Sequence, residues 1–176
     1  MDLEITMTEE YSDLILVSQP EDLQKLQHRS KNISIDSLDI TELKLGDSLE
    51  SYGADKVVEF LSLNIEKLCS GRNWTKSTRE LKTLYLPKLK YLDVRESVRC
   101  DYLVWIFRWD MPEIEIIRFE HLTLYSNIER EFQKFISKHA SSVRKVMFVN
   151  IKGKVDPWMQ FILSKTKAEV RIEGNA

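Results

Sequence analysis

Few side chains in this sequence have the types and spacing that catalysis or metal binding requires. The three histidines and two cysteines are scattered, and no group of them has the spacing of a zinc site. The chain also contains no Gly-x-Ser-x-Gly, glycine-rich phosphate loop, His-Glu-x-x-His or Cys-x-x-Cys motif. His121 beside Glu120 could pair as a base and its orienting carboxylate, but a surface pair of this kind is usually inert. We therefore expect no enzymatic activity, no metal site and no cofactor.

Recognition of another protein is the chemistry that the sequence favours. Charged and aromatic residues alternate with aliphatic ones in several short stretches, and interfaces are enriched in aromatic residues and arginine. The candidate partner-binding residues are Lys44, Lys67, Tyr91, Asp93, Arg95, Arg118, Glu120, His121, Lys145 and Met147. The alternative for any one of them is a solvated face with cross-strand ion pairs, such as Asp93 with Arg118.

The elements that would position these residues are indicated by a repeated spacing of aliphatic side chains, three residues and then two. Leu89, Leu92 and Val94 show it most clearly. The other sets are Ile40, Leu43, Leu45; Ile65, Leu68, Ser70; Ile114, Ile117, Phe119; Val143, Val146, Phe148; and the degenerate Lys167, Val170, Ile172. Successive sets begin 25, 24, 25, 29 and 24 residues apart. Each set predicts a short strand whose apolar residues point into the core, while the residues between them point outward.

Helices are predicted between these strands. Apolar clusters with a return of three or four residues, as one buried helix face requires, lie at 57–61, 103–107, 132–136 and 158–162. Trp105 and Trp158 fall within them and are expected in the core. A single strand–turn–helix unit cannot bury its apolar face alone, so neighbouring units must stack into one continuous core.

With these sets, the chain resembles a leucine-rich repeat protein. The family pattern is L-x-x-L-x-L with an asparagine or cysteine three residues later, and the resemblance covers roughly 38–173. The first part of the pattern is met in the sets that begin at Ile40, Leu89, Ile114 and Val143. The asparagine position is held by Asn73 in one set and by Ser48 and Ser97 in two others, whereas Leu122 and Ile151 depart from the pattern. The resemblance implies an α/β solenoid with short parallel strands on the concave face, helices on the convex face and a partner protein bound on the concave face.

The first residues fit the repeat poorly. An apolar run at 14–17 predicts a strand, a proline and acidic residues after Ser18 predict a helix, and alternation at 31–38 predicts another strand. Terminal repeats of solenoids are often atypical. We therefore expect a capping unit at 1–37 and a solenoid of five to six repeats of roughly 25 residues at 38–176, packed as one domain.

Composition and charge leave two alternatives to protein binding. The chain has no apolar run long enough to span a membrane, and its acidic start is unlike a signal peptide. Both observations favour an intracellular, cytoplasmic protein. Residues 71–100 hold eight basic and three acidic residues, so segment 72–99 could bind nucleic acid. A third candidate is a structural subunit of a larger assembly, because open solenoid ends leave strand edges that need cover.

Overall fold

The described strands form one open parallel sheet. The computed structural model describes residues 14–17, 42–45, 65–69, 83–95 and 100–174. Their strands are β1 (Leu14–Val17), β2 (Glu42–Leu45), β3 (Lys67–Cys69), β4 (Tyr91–Arg95), β5 (Ile116–Glu120), β6 (Lys145–Val149) and β7 (Glu169–Glu173). The strands are ordered in the sheet as they are in the chain. The predicted α/β class is therefore confirmed.

The register of the sheet aligns the aliphatic sets of the sequence. One row across β2 to β7 consists of Leu43, Leu68, Leu92, Ile117, Val146 and Val170. A second row across β4 to β7 consists of Val94, Phe119, Phe148 and Ile172. From β3 to β6 every side chain in these rows is at most 1% exposed. From β3 to β6, the three-then-two spacing is therefore confirmed as the signal of a strand that buries its aliphatic side chains.

Helices follow β4, β5 and β6. They are α1 (Cys100–Ile106), a 3-10 turn (Ser126–Ile128) that leads into α2 (Glu129–Lys138), and α3 (Asp156–Lys165). Both α2 and α3 have acidic residues in the first turn and lysine in the last, which suits the helix dipole. Three of the four predicted helical clusters are thus confirmed. The cluster at 57–61 and the elements predicted for 18–29 and 31–38 lie outside the described residues.

Aromatic side chains join the helices to one face of the sheet. Phe107, just after α1, lies 6.2 Å from Phe119 of β5 and 5.5 Å from Phe132 of α2, measured between ring centroids. Phe132 in turn lies 4.2 Å from Trp158 of α3. Trp105 and Trp158 are buried, as predicted. Among the described helices, none combines the length and apolar character needed to cross a membrane.

The last three strands end at residues with a left-handed backbone. His121 follows β5 with φ 54°, Asn150 follows β6 with φ 50°, and Gly174 follows β7 with φ 69°. Glycine adopts this conformation without strain, and asparagine and histidine are among the few other residue types that are enriched in it. The next residues, Leu122 and Ile151, are buried. At these two positions the core therefore takes an aliphatic side chain where the leucine-rich repeat pattern has asparagine.

His139 is a buried titratable group at the end of α2. Its residue is 2% exposed, its ring packs against Phe135 at 5.0 Å, and its Nε2 atom has no hydrogen-bond partner. Burial lowers the pKa of His139, although a hydrogen bond with the backbone of Trp109 and the charge of Asp110 oppose this. The neighbouring Lys138 ammonium, which lowers the pKa further, lies 2.9 Å from Asp110. The folded state therefore favours the neutral imidazole.

Substitutions at His121 test the backbone strain after β5. Glycine relieves the left-handed strain but adds freedom to the unfolded chain, so we expect His121→Gly to change the free energy of unfolding by less than about 0.5 kcal/mol. Valine is β-branched, so we expect His121→Val to lower it by about 1 to 2 kcal/mol. Urea denaturation measures both. Equal losses in the two variants would instead assign the effect to contacts of the imidazole.

The pH dependence of stability tests His139. Below about pH 6.5 the unfolded chain binds a proton at this histidine. The folded chain, in which the pKa of His139 is lowered, binds that proton only at a lower pH. The free energy of unfolding should therefore fall as the pH drops below about 6.5, until the depressed pKa of the folded state is reached. We expect His139→Gln to flatten this slope in urea titrations between pH 7 and 5. An unchanged slope in the variant would contradict a buried neutral His139.

Candidate functional site

The side of the sheet opposite the helices carries most of the predicted binding residues. We call it the outer face and define it by three rows of side chains. These rows are Lys67, Tyr91, Ile116, Lys145, Glu169; then Cys69, Asp93, Arg118, Met147, Arg171; then Arg95, Glu120, Val149, Glu173. Because side chains of a strand alternate between its two faces, these rows lie between the buried rows of the core.

Asp93 is the centre of an ion-pair network on the outer face. Its Oδ2 atom accepts hydrogen bonds from Arg95 Nε at 2.9 Å and from Arg118 Nη1 at 3.1 Å. Arg95 Nη2 lies 2.8 Å from the same oxygen, and Cys69 Sγ lies 3.9 Å from it. Arg118 Nη1 also donates to Glu120 Oε2 at 2.7 Å. The predicted alternative of a cross-strand pair between Asp93 and Arg118 is thus confirmed.

The network raises the pKa of both arginines, which are charged at neutral pH in any environment. The hydrogen bond to Asp93 is the largest cause of a raised pKa at Arg95. At Arg118, burial lowers the pKa, but the charges of Asp93 and Glu120 outweigh it and the net shift is upward. Burial and the nearby Asp93 charge raise the pKa of Tyr91, so its hydroxyl remains protonated. The outer face therefore presents fixed guanidinium groups beside a neutral phenol.

Asp93 itself is inaccessible, which corrects its assignment as a residue that contacts a partner. The residue is 0% exposed, although it lies on the outer face. The side chains of Arg95 and Arg118 are 48% and 20% exposed. The spacing of the sequence places Asp93 on the correct face, but two long side chains from neighbouring positions converge on it. Asp93 therefore positions the arginines rather than contacting a partner.

Half-buried apolar side chains flank the arginines. Tyr91 and Ile116 are partners in the first row, and Met147 is the partner of Arg118 in the second. All three are half-buried, as is Lys145 beside Ile116. A surface that combines apolar contact area with arginine donors resembles the centre of protein interfaces. The structure therefore brings Tyr91, Arg118, Lys145 and Met147 together.

The pair of His121 and Glu120 lies at the end of β5. His121 Nε2 is 3.8 Å from Glu120 Oε1 and 3.5 Å from Asn150 Nδ2. The other oxygen of Glu120 is engaged by Arg118 at 2.7 Å. Among the described residues, no cluster of three histidine, cysteine or acidic side chains could hold a metal ion. The imidazole of His121 therefore lies beside the ion-pair network, at the ends of the strands.

The remaining predicted residues lie on β2 and β3, nearer the β1 edge of the sheet. Lys67 is exposed on β3, in the same row as Tyr91. Lys44 is placed on β2 by its backbone, in register with Cys69. Residue types alone did not identify Asp93 as buried. A signal was nevertheless present, because Arg95 follows it by two positions and Arg118 by one repeat, so both had to lie beside it on one face.

Removing the charge of Asp93 should destabilise the fold. Asp93→Asn weakens three charge-assisted contacts to the arginines, and we expect the free energy of unfolding to fall by about 2 to 3 kcal/mol. Glu120→Gln is the matched control, because Arg118 keeps its bond to Asp93, and it should cost less than about 1 kcal/mol. Chemical denaturation measures both variants. A smaller loss at Asp93 than at Glu120 would contradict the central role of Asp93.

Comparison with known proteins identifies no relative of this chain. No protein-family model, no curated protein and no solved structure matches it.

Proposed function

We propose that this chain is a leucine-rich-repeat-like solenoid without enzymatic activity, which binds a partner protein on the outer face of its sheet. In this proposal the outer face is concave and the helices lie on the convex side. Support for the solenoid comes from the strand order, which follows the chain, and from the repeated step of 24 to 29 residues. A regular stack of this kind exposes one continuous sheet face to a partner.

One observation carries the binding proposal, the patch formed by Tyr91, Ile116, Arg118, Lys145 and Met147. Its apolar members are only half-buried, and its arginine is held in place by Asp93 at 3.1 Å. A pre-positioned guanidinium loses little conformational entropy on binding, because its side chain is already ordered. The apolar neighbours supply area that a partner can remove from water. The partner should therefore present an acceptor group, such as a carboxylate, beside an apolar side chain.

Charge reversal of the arginines is a poor test of this proposal. A glutamate in place of Arg118 would put a second negative charge beside the buried Asp93 carboxylate and would destabilise the fold. Loss of binding would then follow from unfolding. Met147 is better suited, because it is half-buried and no ion pair of the network depends on it.

Site-specific photo-crosslinking tests the proposal. A photoreactive amino acid replaces Met147 in one chain and Gln160, exposed on α3, in a control chain. We expect a defined crosslinked protein from the Met147 position and none from the Gln160 position. Adding an excess of unmodified chain should suppress the crosslink, while an excess of Met147→Glu chain should compete at least about tenfold less well, because a buried charge opposes binding.

The crosslinking experiment has clear contrary outcomes. Crosslinks of equal yield at Met147 and Gln160 would contradict a specific site on the outer face. Crosslinks at Gln160 alone would place the site on the helical side. Equal competition by native and Met147→Glu chains would also overturn the proposal, provided that circular dichroism shows the variant to be folded.

Nucleic-acid binding through segment 72–99 is less well supported. Of its three described basic residues, Lys88 is exposed, Lys90 Nζ lies 3.1 Å from Glu66 Oε2, and Arg95 is paired with Asp93. Phosphate binding needs basic groups that can exchange small counterions for phosphates. Acidic neighbours already occupy two of these three side chains, which leaves Lys88 as the basic group that could contact a phosphate.

A further inference from the structure

Strand β7 forms one end of the sheet. It pairs with β6, and no other described strand pairs with its outer edge. The ladder bonds show which backbone groups point to that edge. Glu169 N donates to Arg144 O at 2.8 Å and Glu173 O accepts from Asn150 N at 2.8 Å, so residues 169, 171 and 173 bond towards β6. The N–H and C=O groups of Val170 and Ile172 therefore point outward.

Exposure rises along this edge. Ala168 is 5% exposed and its N–H already donates to Thr166 Oγ1. Val170 is half-buried and Ile172 is 41% exposed, although their partners in β6, Val146 and Phe148, are fully buried. As far as the described residues extend, the edge is thus closed at its start and open at its end. Ile172, on the face that is buried in β4 to β6, is therefore exposed to water where β7 is open.

Charges alternate along the open part of β7. On the outer face, Glu169, Arg171 and Glu173 follow one another at intervals of two residues, and all three are exposed. Arg171 Nε donates to Glu169 Oε1 within the chain. Charged side chains at a sheet edge usually oppose pairing with another strand. The charges of β7 would instead favour pairing with an antiparallel strand of the same sequence centred on Ile172. In that pairing, opposite charges would face each other.

We propose that a second copy of this chain pairs with β7 across a two-fold axis at Ile172. The two β7 strands are antiparallel, and Ile172 of each copy exchanges backbone hydrogen bonds with Ile172 of the other. Arg171 of each copy then faces Glu173 of the other, which gives two ion pairs. The exposed Ile172 side chains meet at the axis. The two sheets join into one, with the helices of both copies on the same side.

Pairing of the two β7 strands centred on Val170 is excluded by the structure at the start of the β7 edge. In that register Ile172 would pair with Ala168 of the second copy. Ala168 is buried, and its N–H is occupied by Thr166, so this stretch offers neither access nor a donor. Centring on Arg171 would place Arg171 against itself and Glu169 against Glu173. The Ile172 register alone combines access with opposite charges.

Charge swaps in two chains test both the dimer and its register. Sedimentation of the native 176-residue chain from micromolar to millimolar concentration should show a mass that rises from 20.8 kDa towards twice that value. Arg171→Glu and Glu173→Arg should each weaken self-association by about tenfold or more, because every substitution acts twice across the axis. Mixing the two variants should restore association, since the glutamate introduced in one chain would then face the arginine introduced in the other.

Glu169→Arg is the matched control, because it lies on the same strand and face but outside the Ile172 pairing. It should neither abolish association nor rescue Arg171→Glu. A native chain that remains monomeric at millimolar concentration overturns the proposal. So does rescue of Arg171→Glu by Glu169→Arg in place of Glu173→Arg, which would indicate the Val170 register. Circular dichroism of each variant establishes that the compared chains are folded.

Discussion

The register of the parallel strands is the constraint on which the rest of this structure depends. Each strand places one apolar side chain directly beside its counterpart on the next, as Leu92, Ile117 and Val146 do. A slip of one residue would move every such side chain to the opposite face. The same register that buries these residues therefore fixes which charged residues become neighbours on the outer face.

The polar network follows from that register. Asp93 of β4 and Arg118 of β5 are direct partners, and Arg95 follows Asp93 by two positions on β4. One buried carboxylate then receives two guanidinium groups, whose desolvation is limited because both remain partly exposed. Stability and surface chemistry are thus coupled at Asp93. A substitution there alters the fold and the position of both arginines together.

Periodicity predicted the strands and three helices because burial of one face imposes a regular spacing on the sequence. Even the degenerate last set, with Val170 and Ile172, falls in the correct register. Periodicity could not predict the burial of Asp93, which depends on the reach of two arginine side chains. It also could not predict the exposure of Ile172, because a core position and an open edge share one spacing. The left-handed backbone at His121 was not predicted either, because histidine is enriched in that conformation but adopts it only rarely.

The constant spacing of strands also limits how a rigid partner can lie across them. Side chains of one row on the outer face recur about every 4.8 Å, whereas the turns of an α-helix recur every 5.4 Å or so. The two periods differ, so helix turns and strands move out of phase by about 0.6 Å per strand. Over the four steps from β3 to β7 the mismatch reaches roughly half a strand spacing. A straight helix laid along a row could therefore stay in phase with only three or four neighbouring strands.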